Sequence, residues 1–518
     1  MTAAAGLIGD QVERHARLRP DATAVYEFSA GPPRELTWAQ LDAAADRTAT
    51  ALLELGVAPG DAVSYQLPNR LEFVTISLAT LRIGAVCEPL MPIFRERELG
   101  FMLGQSAARV LIVPDRFRGC DHAAMARGLQ AELPDLEHIV VLDGGEDPLA
   151  QKTADVAAVA ARRPIKEDIA QLLFTSGSTG EPKGVLHPHR TLSEAAASHI
   201  RHFGLGDDDV IYVPSPLAHQ TGFLYGMWIA LTLGVPQVLQ ESWNAELGFD
   251  AIQRTGVTFV QAATPFLADL VGVARSRGRA PGRLRTFVAT GAAIPRELAH
   301  EARSVLGAEV GGAWGSTESC LGTAFAPGDP PELAWSSDGR ALDGVGVRIV
   351  DDSGRALPAG AEGNFEVLTE CMFAGYLNRP ELTAAALSPD GWYRTGDLAR
   401  IDADGYLRIT GRVKDVINRG GEKVPVAEVE QLLYRHPSVQ EVAIVAMPDE
   451  RLGERACAFV VPVNGEALDF AAMQEYLDAA RVAKPYWPER LELVSSLPRT
   501  PSGKVQKFVL RQRAAVLR

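Results

Sequence analysis

The sequence predicts an α/β protein with a large N-terminal domain of doubly wound sheets, a small barrel-like region and a small α+β domain at the C-terminus. Three observations predict this fold class. Helix-length runs alternate with short apolar runs in the N-terminal part, short turn-rich segments fill residues 341–410, and a compact pattern follows Gly411. Such alternation is typical of parallel sheets covered by helices. We therefore expect one domain over residues 1–411 and a second over residues 412–518.

The alternation is clearest between residues 36 and 86. A helix-length run from Trp38 to Leu55 is followed by Gly56, and a second run from Leu71 to Ile83 is followed by Gly84. Glycine is common just past the end of a helix, so both runs are predicted helices. The short apolar run from Ala62 to Leu67 between them is a predicted strand.

Three later apolar runs, at residues 257–260, 284–289 and 309–310, are predicted strands that lead into small or polar residues. The segments that follow them are 261–264, 290–293 and 311–318. Ligands of open α/β sheets bind at the carboxyl ends of the strands, so these segments are predicted to share one site.

Further local patterns predict individual elements. Thr191 and Glu194 have the spacing of a capping box for a helix through residues 195–199. Segments 351–354 and 402–405 have the composition of hairpin turns. After Gly411, a helix is predicted to start at Pro425, with strands over residues 442–446 and 458–463.

Composition excludes several classes of function. The formal net charge of −14 argues against a nucleic-acid-binding protein. The five cysteines are scattered without the paired spacing of a zinc site or a redox dithiol, so we expect free thiols. The longest apolar stretch, residues 223–238, is broken by glycines and a proline, and the N-terminus has no leader-like pattern. A cytoplasmic protein without a membrane span is expected.

The run from Leu172 to Gly184 predicts a phosphate-binding strap between two apolar strands. Glycines allow close approach of an anion, hydroxyl groups donate hydrogen bonds to phosphate oxygens, and a lysine adds positive charge. The run is not a Walker A loop, because Pro182 precedes the lysine and Gly184 follows it. A plain surface loop is the alternative interpretation. The candidate phosphate ligands are Thr175, Ser176, Gly177, Ser178, Thr179, Gly180 and Lys183.

Four further motifs follow the strap in order. They are residues 314–318 (Trp-Gly-Ser-Thr-Glu), 393–397 (Tyr-Arg-Thr-Gly-Asp), 411–415 (Gly-Arg-Val-Lys-Asp) and 498–504 (Pro-Arg-Thr-Pro-Ser-Gly-Lys). With these motifs the chain resembles, over nearly its whole length, the adenylate-forming superfamily of acyl-CoA synthetases, stand-alone adenylation domains and firefly luciferase. The resemblance implies a carboxylic acid, ATP and coenzyme A as substrates and Mg²⁺ as the metal.

The chemistry of that superfamily explains why these residue types are needed. A carboxylate is a poor electrophile, so joining it to a thiol requires prior activation by attack on the α-phosphate of ATP. That step brings an anion against a polyanion, and fixed positive charge in a water-excluded site lowers the barrier.

The resemblance implies a role for each motif residue. Lys504 is the expected adenylation lysine, Glu318 the Mg²⁺ ligand and Thr317 a phosphate contact. Asp397 is expected to bind the ribose hydroxyls with Arg412, and Lys423 to contact the nucleotide, although a solvated lysine is as plausible an interpretation of Lys423. The remaining expected nucleotide contacts are Gly291, Ala292, Ala293, Gly312, Ala313, Trp314, Gly315 and Ser316.

The resemblance also implies a mobile C-terminal domain. Lys414 falls at the hinge, which would move Lys504 away after adenylation so that a thiol can approach. Gly421 is expected to line the pantetheine tunnel, with a hairpin glycine as the alternative. The expected acyl pocket consists of His219, Gln220, Gly222, Phe223, Thr264, Thr290 and Trp314. The bulk of Phe223, Met227 and Trp228 favours a short, cyclic or aromatic acid.

Several functions stay open at this stage. The first choice is an acid:CoA ligase that works in two steps through an acyl-adenylate. The alternatives are a stand-alone adenylation enzyme that loads a carrier protein, an atypical member that activates another oxyanion such as nitrite for attack by an amine, and a catalytically silent nucleotide-binding protein. Both a monomer and a homodimer are compatible with the sequence.

Overall fold

The computed structural model describes residues 6–142, 148–175, 182–291, 294, 296–420, 422–463, 468–499 and 505–517. The chain divides into two compact units. The major unit comprises residues 1–346 and 368–393, and the minor unit comprises residues 347–367 and 394–518. The domain boundary expected after residue 411 stays a prediction. None of the helices in the described ranges is long and apolar enough to span a membrane.

The helices of the described residues are numbered in chain order. They are α1 (Ile8–Leu18), α2 (Trp38–Glu54), α3 (Leu71–Arg82), α4 (Glu96–Ser106), α5 (His122–Glu132), α6 (Val156–Ala160), α7 (His189–Phe203), α8 (Gln220–Gly222), α9 (Ile229–Leu233), α10 (Ala245–Thr255), α11 (Thr264–Arg277), α12 (Arg296–Leu306), α13 (Pro331–Ser336), α14 (Pro380–Ala386), α15 (Val426–Tyr434), α16 (Phe470–Ala479) and α17 (Lys507–Ala514).

The strands are numbered in the same way. They are β1 (Thr23–Phe28), β2 (Arg34–Thr37), β3 (Ala62–Tyr65), β4 (Val86–Pro89), β5 (Val110–Pro114), β6 (Arg116–Phe117), β7 (Cys120–Asp121), β8 (His138–Leu142), β9 (Ile169–Thr175), β10 (Lys183–Pro188), β11 (Ile211–Val213), β12 (Gln237–Gln240), β13 (Phe259–Ala263), β14 (Thr286–Thr290), β15 (Glu309–Ser316), β16 (Cys320–Ala324), β17 (Arg340–Ala341), β18 (Gly346–Val350), β19 (Gly363–Leu368), β20 (Gly375–Tyr376), β21 (Tyr393–Ile401), β22 (Leu407–Arg412), β23 (Ile417–Arg419), β24 (Glu422–Val424), β25 (Val439–Asp449), β26 (Gly453–Pro462) and β27 (Arg490–Leu493).

The major unit contains two large sheets, which confirms the predicted α/β class. One has nine strands in the order β17-β16-β15-β14-β13-β11-β12-β1-β2, and the other has seven in the order β20-β10-β9-β4-β3-β5-β8. The central strands of both sheets are parallel, as expected where helices connect them. Antiparallel strands occupy the edges β16, β17, β10 and β20.

The largest hydrophobic core of the major unit combines both sheets with helices α2, α3 and α7. Trp38 of α2, Phe73 of α3 and Phe203 of α7 are all at most 2% exposed. Side chains of β3, β5, β11 and β13 belong to the same cluster. Burying apolar area of this size is the main stabilising term for the unit, at roughly 25 cal/mol per Å².

The minor unit contains two smaller sheets. One has the order β18-β19-β21-β22 and lies where the turn-rich sequence predicted a small antiparallel or barrel-like region. Its strands β21 and β22 form the hairpin predicted at residues 402–405. The other has the order β24-β23-β26-β25, with β27 beside β26. Adjacent residues of β25 serve two cores: Ile444 packs with α15 and α16, and Val445 packs with α17.

Some local predictions were wrong in detail. The helix predicted to be capped by Thr191 begins earlier, at His189, and Pro188 at its N-cap makes no side-chain capping bond. The Thr191 hydroxyl instead lies 3.0 Å from Nδ1 of His187 and 3.0 Å from the Pro188 carbonyl oxygen. The strand predicted at residues 309–310 extends to Ser316, because β16 pairs with its second half.

The cysteines are free thiols, as expected. Cys87, Cys320 and Cys457 are buried, and Cys120 and Cys371 are partly buried. Burial raises the pKa of the Cys87 and Cys457 thiols to about 12, so neither is ionised at neutral pH.

Candidate active site

Three neighbouring parallel strands bring the predicted ligand segments together at the carboxyl ends of the strands of the nine-stranded sheet. Ala263 of β13 lies beside Thr290 of β14, and Thr290 lies beside Ala313 of β15. Thr264 and Gly291 therefore follow at the same edge, where Thr264 opens α11 and Gly291 has a φ of +85°. The three segments therefore follow neighbouring strand ends, and the ligand site predicted there stays a prediction.

Thr317 and Glu318 lie in the turn between β15 and β16. The two strands are antiparallel, with Ser316 opposite Cys320. Ser319 donates its backbone N–H to the Ser316 hydroxyl oxygen over 3.1 Å, which closes the turn. A Cβ on Gly315 would lie 2.7 Å from the Cys320 carbonyl oxygen, so the close pairing beside the turn requires glycine.

The ends of the predicted phosphate strap are a pair of residues on adjacent strands. Thr175 at the end of β9 lies opposite Lys183 at the start of β10. The Thr175 hydroxyl donates a long hydrogen bond of 3.5 Å to the Lys183 carbonyl oxygen. Ser176, Gly177, Ser178, Thr179 and Gly180 lie outside the described residues. Strands β9 and β10 are thus antiparallel neighbours, and the second strand begins with the lysine.

Tyr376 on β20 links the strap lysine to the turn that carries Glu318. Lys183 Nζ lies 4.9 Å from the centre of the Tyr376 ring, within cation–π distance. The Tyr376 hydroxyl donates a 2.8 Å hydrogen bond to Glu318 Oε1. Burial, together with the adjacent Glu318 charge, raises the pKa of Tyr376 above its usual value, so the phenol stays protonated.

The backbone beside Glu318 is anchored on both sides. Phe373 donates its N–H to the Glu318 carbonyl oxygen over 2.8 Å. On the other side, His187 Nε2 lies 2.6 Å from the Thr317 carbonyl oxygen. His187 is fully buried, and burial lowers its pKa to about 4, so its ring is neutral at neutral pH.

The side chains of this site suit a metal ion that arrives with a polyphosphate. Glu318 is half-buried, and its Oε1 accepts from Tyr376 while Oε2 has no partner among the described residues. Within the described ranges, no three His, Cys, Asp or Glu side chains form a metal-binding group. Mg²⁺ is typically held by one or two carboxylates plus substrate phosphates, so one carboxylate beside a lysine fits that ion.

The predicted acyl pocket residues near β11 form a tightly packed helical segment. His219 caps α8, and its Nδ1 accepts the Thr221 N–H over 3.2 Å. A Cβ on Gly222 would lie 2.3 Å from the Pro216 carbonyl oxygen, so no side chain fits there. Phe223 begins a π-helical turn over Phe223–Trp228, a distortion of the helix that is frequent at functional sites.

Gln220 is the least satisfied residue of this segment. It is 3% exposed, and apart from a weak contact with the Cys320 thiol neither atom of its amide group has a hydrogen-bond partner among the described residues. Phe223, Met227 and Trp228 are fully buried. A buried amide without partners costs about 1–3 kcal/mol, which a polar ligand group or water at this position would offset.

In the minor unit, Asp397 and Arg412 face each other across β21 and β22. Arg412 Nε donates to Asp397 Oδ1 over 2.7 Å. The Asp397 side chain is 4% exposed, whereas that of Arg412 is 47% exposed. The backbone N–H of Asp397 donates to the Thr395 hydroxyl oxygen over 3.0 Å, which fixes the turn at Gly396. A carboxylate held this way can accept hydrogen bonds from a diol.

The predicted hinge residue Lys414 lies in a single 3₁₀ turn, Val413–Asp415, directly after β22. Its carbonyl oxygen accepts a 3.3 Å hydrogen bond from Arg511 of α17, which also pairs with the Asp415 carboxylate. Partial burial, followed by the positive charge of Arg412, lowers the pKa of Lys414.

Other predicted site residues are described in part or not at all. The backbone of Lys423 lies in β24, opposite Asn418 of β23. Trp314 is 8% exposed and lies on β15 with Gly312 and Ala313. Ala292, Ala293, Gly421 and Lys504 lie outside the described residues.

Sequence reasoning missed His187 and Tyr376 as site residues. Tyr376 follows a glycine in a short strand, and its distance of 58 positions from Glu318 leaves no local pattern that links them. His187 is separated from Thr317 by 130 positions. The one available signal for His187 is its position on the strand that starts at the strap lysine.

Two family models match the chain. The model described as AMP-binding enzyme matches residues 12–377, and the model described as AMP-binding enzyme C-terminal domain matches residues 428–504. The first model covers the strap and the Thr317–Glu318 turn. The second model covers Lys504.

Curated relatives align over nearly the whole chain. The chain is 36% identical to the medium-chain fatty-acid–CoA ligase of Escherichia coli (strain K12), over 98% of this chain and 90% of that protein. It is also 36% identical to the salicyl-AMP ligase / salicyl-S-ArCP synthetase of Mycobacterium tuberculosis (strain ATCC 25618 / H37Rv), over 96% and 89%. The crystal structure of the anthranilate CoA ligase AuaEII with anthranoyl-AMP matches with a TM-score of 0.87 and 27% identity, over 99% of this chain and 98% of that chain.

Proposed function

Because the chain belongs to the AMP-binding enzyme family of adenylate-forming ligases, we propose that it is an acid:CoA ligase. It activates a carboxylic acid with ATP and Mg²⁺, releases pyrophosphate, and transfers the acyl group to coenzyme A with release of AMP. We assign it a short, cyclic or aromatic acid. A salicylyl-CoA synthase and an anthranilate CoA ligase among the similar proteins support an aromatic acid.

One arrangement carries the proposal: Lys183 and Glu318 meet the same tyrosine, one at its ring face and the other at its hydroxyl. Binding of a nucleoside triphosphate with its metal ion requires a cation for the phosphates and a carboxylate for the metal. Lys183 and Glu318 are these two groups, and one rigid side chain holds both. The hairpin of β9 and β10 supplies the lysine, and the turn after β15 supplies the carboxylate.

In the first half-reaction, an oxygen of the substrate carboxylate attacks the α-phosphorus of ATP and pyrophosphate leaves. Lys183 offsets the negative charge of the phosphates, and the Thr317 hydroxyl donates to a phosphate oxygen. Glu318 holds the divalent cation, which supplies charge neutralisation on the phosphates when it is bound. Lys504 stabilises the charge on the attacking carboxylate and the α-phosphate.

Asp397 has the separate role of holding the ribose. Its buried carboxylate accepts hydrogen bonds from the two ribose hydroxyls, while Arg412 keeps it oriented. This contact is the same in both half-reactions, so it contributes to the affinity for the nucleotide rather than to the chemical step.

In the second half-reaction the thiol of coenzyme A attacks the acyl carbonyl, and AMP leaves with the electron pair of the mixed anhydride bond. Lys504 must withdraw for the thiol to reach that carbonyl. The turn at Lys414 is the proposed pivot, with Gly421 beside the path of the pantetheine arm.

A second candidate is a stand-alone adenylation enzyme that transfers its acyl group to a carrier protein. The salicyl-S-ArCP synthetase and the medium-chain fatty-acid–CoA ligase have the same sequence identity to this chain, 36%. This equal identity supports the carrier-protein candidate beside the CoA ligase. Both candidates share the adenylation step and differ only in the acceptor thiol.

The test is mass spectrometry of the products formed from the enzyme, Mg-ATP and a pooled set of carboxylic acids, with and without coenzyme A. An acyl-CoA together with AMP supports the proposal and identifies the acid. An acyl-adenylate that never becomes a CoA thioester supports the carrier-protein candidate. ATP binding without any acid-dependent product contradicts both, and is the result expected of a silent nucleotide-binding protein or of an enzyme that activates another oxyanion.

A further inference from the structure

His187 contacts the peptide bond directly before the proposed metal ligand. It lies on β10, the strand that begins with Lys183, and its side chain is fully buried. Nε2 lies 2.6 Å from the Thr317 carbonyl oxygen. A carbonyl oxygen can only accept a hydrogen bond, so Nε2 carries the ring proton and donates it.

The second ring nitrogen fixes the orientation of the imidazole. Nδ1 lies 3.0 Å from the Thr191 hydroxyl oxygen. With the proton on Nε2, Nδ1 is an acceptor that faces the Thr191 hydroxyl, whose single proton is also within hydrogen-bond distance of the Pro188 carbonyl oxygen, at 3.0 Å. Thr191 of α7 therefore lies against one ring nitrogen, and the turn after β15 lies against the other.

The contact with Thr317 constrains Glu318 because the peptide bond is planar. Fixing the Thr317 carbonyl fixes the plane that contains the Glu318 nitrogen and Cα. The next peptide plane is fixed by the Phe373 N–H, which donates to the Glu318 carbonyl oxygen over 2.8 Å. The carboxylate itself accepts from the Tyr376 hydroxyl over 2.8 Å. Glu318 is thus held at both adjacent peptide planes and at its side chain.

We propose that His187 is a positioning residue for adenylation, whose Nε2–H bond to the Thr317 carbonyl holds Glu318 in the orientation that binds the divalent cation brought in with ATP. This inference depends on the proposed function, since it takes Glu318 as the metal ligand. His187 contacts neither the nucleotide nor the acid in this role. Residues that orient a metal ligand typically contribute 10–100-fold to metal affinity.

The alternative is that His187 serves only the packing of β10 against the turn. A packing role would lower the stability of the fold when the side chain is truncated, but it would leave the cooperation between Mg²⁺ and ATP unchanged. The two roles therefore separate in a binding measurement that does not require the acid substrate.

The experiment is isothermal titration of ATP into the full-length protein, with Mg²⁺ and with EDTA, which gives the factor by which Mg²⁺ tightens ATP binding. Four variants are compared with the wild type: His187→Gln, His187→Asn, His187→Leu and His202→Leu. The glutamine amide nitrogen can occupy the place of Nε2, whereas the asparagine amide nitrogen reaches only the place of Nδ1.

His202→Leu is the matched control. His202 Nε2 also bonds a carbonyl oxygen in the major unit, that of Phe325 over 2.8 Å, but it lies on α7 away from the Thr317–Glu318 turn. Loss of this bond measures what removal of an equivalent histidine does to the fold alone. Circular dichroism and the thermal midpoint of each variant report its folded state.

The proposal expects the Mg²⁺ factor to fall about tenfold in His187→Leu and His187→Asn, and to stay near wild type in His187→Gln and His202→Leu. Affinity for ATP in EDTA should be unchanged in the folded variants. A wild-type Mg²⁺ factor in His187→Leu overturns the inference, and so does an equal loss in His187→Gln and His187→Leu. Either result leaves the proposed function intact. A wild-type protein whose ATP binding does not respond to Mg²⁺ overturns the proposed metal role of Glu318, and the inference with it.

Discussion

Replacing Tyr376 by phenylalanine removes one hydroxyl and leaves the rest of the site in place. The lost group is the donor of the 2.8 Å hydrogen bond to Glu318 Oε1. The ring that faces Lys183 Nζ at 4.9 Å is retained. The variant therefore separates the orientation of the carboxylate from the placement of the lysine.

The size of the effect follows from the kind of bond that is lost. A hydrogen bond to a charged group contributes about 1.5–3 kcal/mol. Glu318 is half-buried, so water can replace part of the lost bond and the lower end applies. A loss of about 1.4 kcal/mol corresponds to a tenfold change in an equilibrium constant. We expect Tyr376→Phe to raise the Mg²⁺ concentration needed for half-maximal adenylation about tenfold.

The assay is acid-dependent pyrophosphate release at saturating ATP over a series of free Mg²⁺ concentrations. Most of the wild-type rate should return at high Mg²⁺, because the metal ligand itself is still present. Tyr212→Phe is the control, since it removes a buried tyrosine hydroxyl that bonds Gln240 elsewhere in the major unit. An unchanged Mg²⁺ requirement in Tyr376→Phe, or an equal rise in Tyr212→Phe, refutes the reasoning.

Three further predictions concern other residues. Lys504→Ala should slow adenylation by about 10²–10³-fold while thioester formation from supplied acyl-adenylate persists, as followed by mass spectrometry; equal loss of both steps contradicts its role. Asp397→Ala should raise the KM for ATP about tenfold or more and leave the KM for the acid unchanged in steady-state kinetics, with a smaller rise in Asp397→Asn; an unaltered KM for ATP speaks against ribose binding. Burial lowers the pKa of His199 to about 3, so as the pH falls the unfolded state binds the His199 proton before the folded state does. The free energy of unfolding therefore falls between pH 6.5 and pH 3, by about 1.4 kcal/mol per pH unit. His199→Gln should reduce the pH slope of the urea-unfolding free energy by about half a proton at pH 6.5 and by nearly one proton at pH 5. A slope equal to wild type contradicts this.

The sequence predicted those parts of the fold that local pattern determines. The helices that end before Gly56 and Gly84 were placed within one or two residues, at Trp38–Glu54 and Leu71–Arg82. The strap was correctly placed between two strands, and its ends at Thr175 and Lys183 are paired. In each case the deciding information lies within a few residues of the element: a periodic apolar pattern, a glycine or a run of hydroxyl groups.

The parts that the sequence did not predict depend on contacts between distant segments. Strand β15 continues to Ser316 because β16 supplies hydrogen bonds to residues that show no strand pattern of their own. Thr191 has the spacing of a helix cap, but its hydroxyl lies against His187, which a local rule does not include. The meeting of Lys183, Tyr376 and Glu318 likewise results from the folding of three separate strands and turns together.

The interleaved make-up of the minor unit limits how the chain can be divided into fragments. Strands β18 and β19 come from residues up to 368, and β21 and β22 come from residues after 392. A fragment that begins at residue 394 would therefore contain the β21–β22 hairpin without β19, which is its neighbour in the sheet. An unpaired strand edge of this kind invites intermolecular pairing and aggregation. A fragment that begins after β22 would contain all five strands from β23 to β27, and with them a sheet whose edges are those of the intact protein.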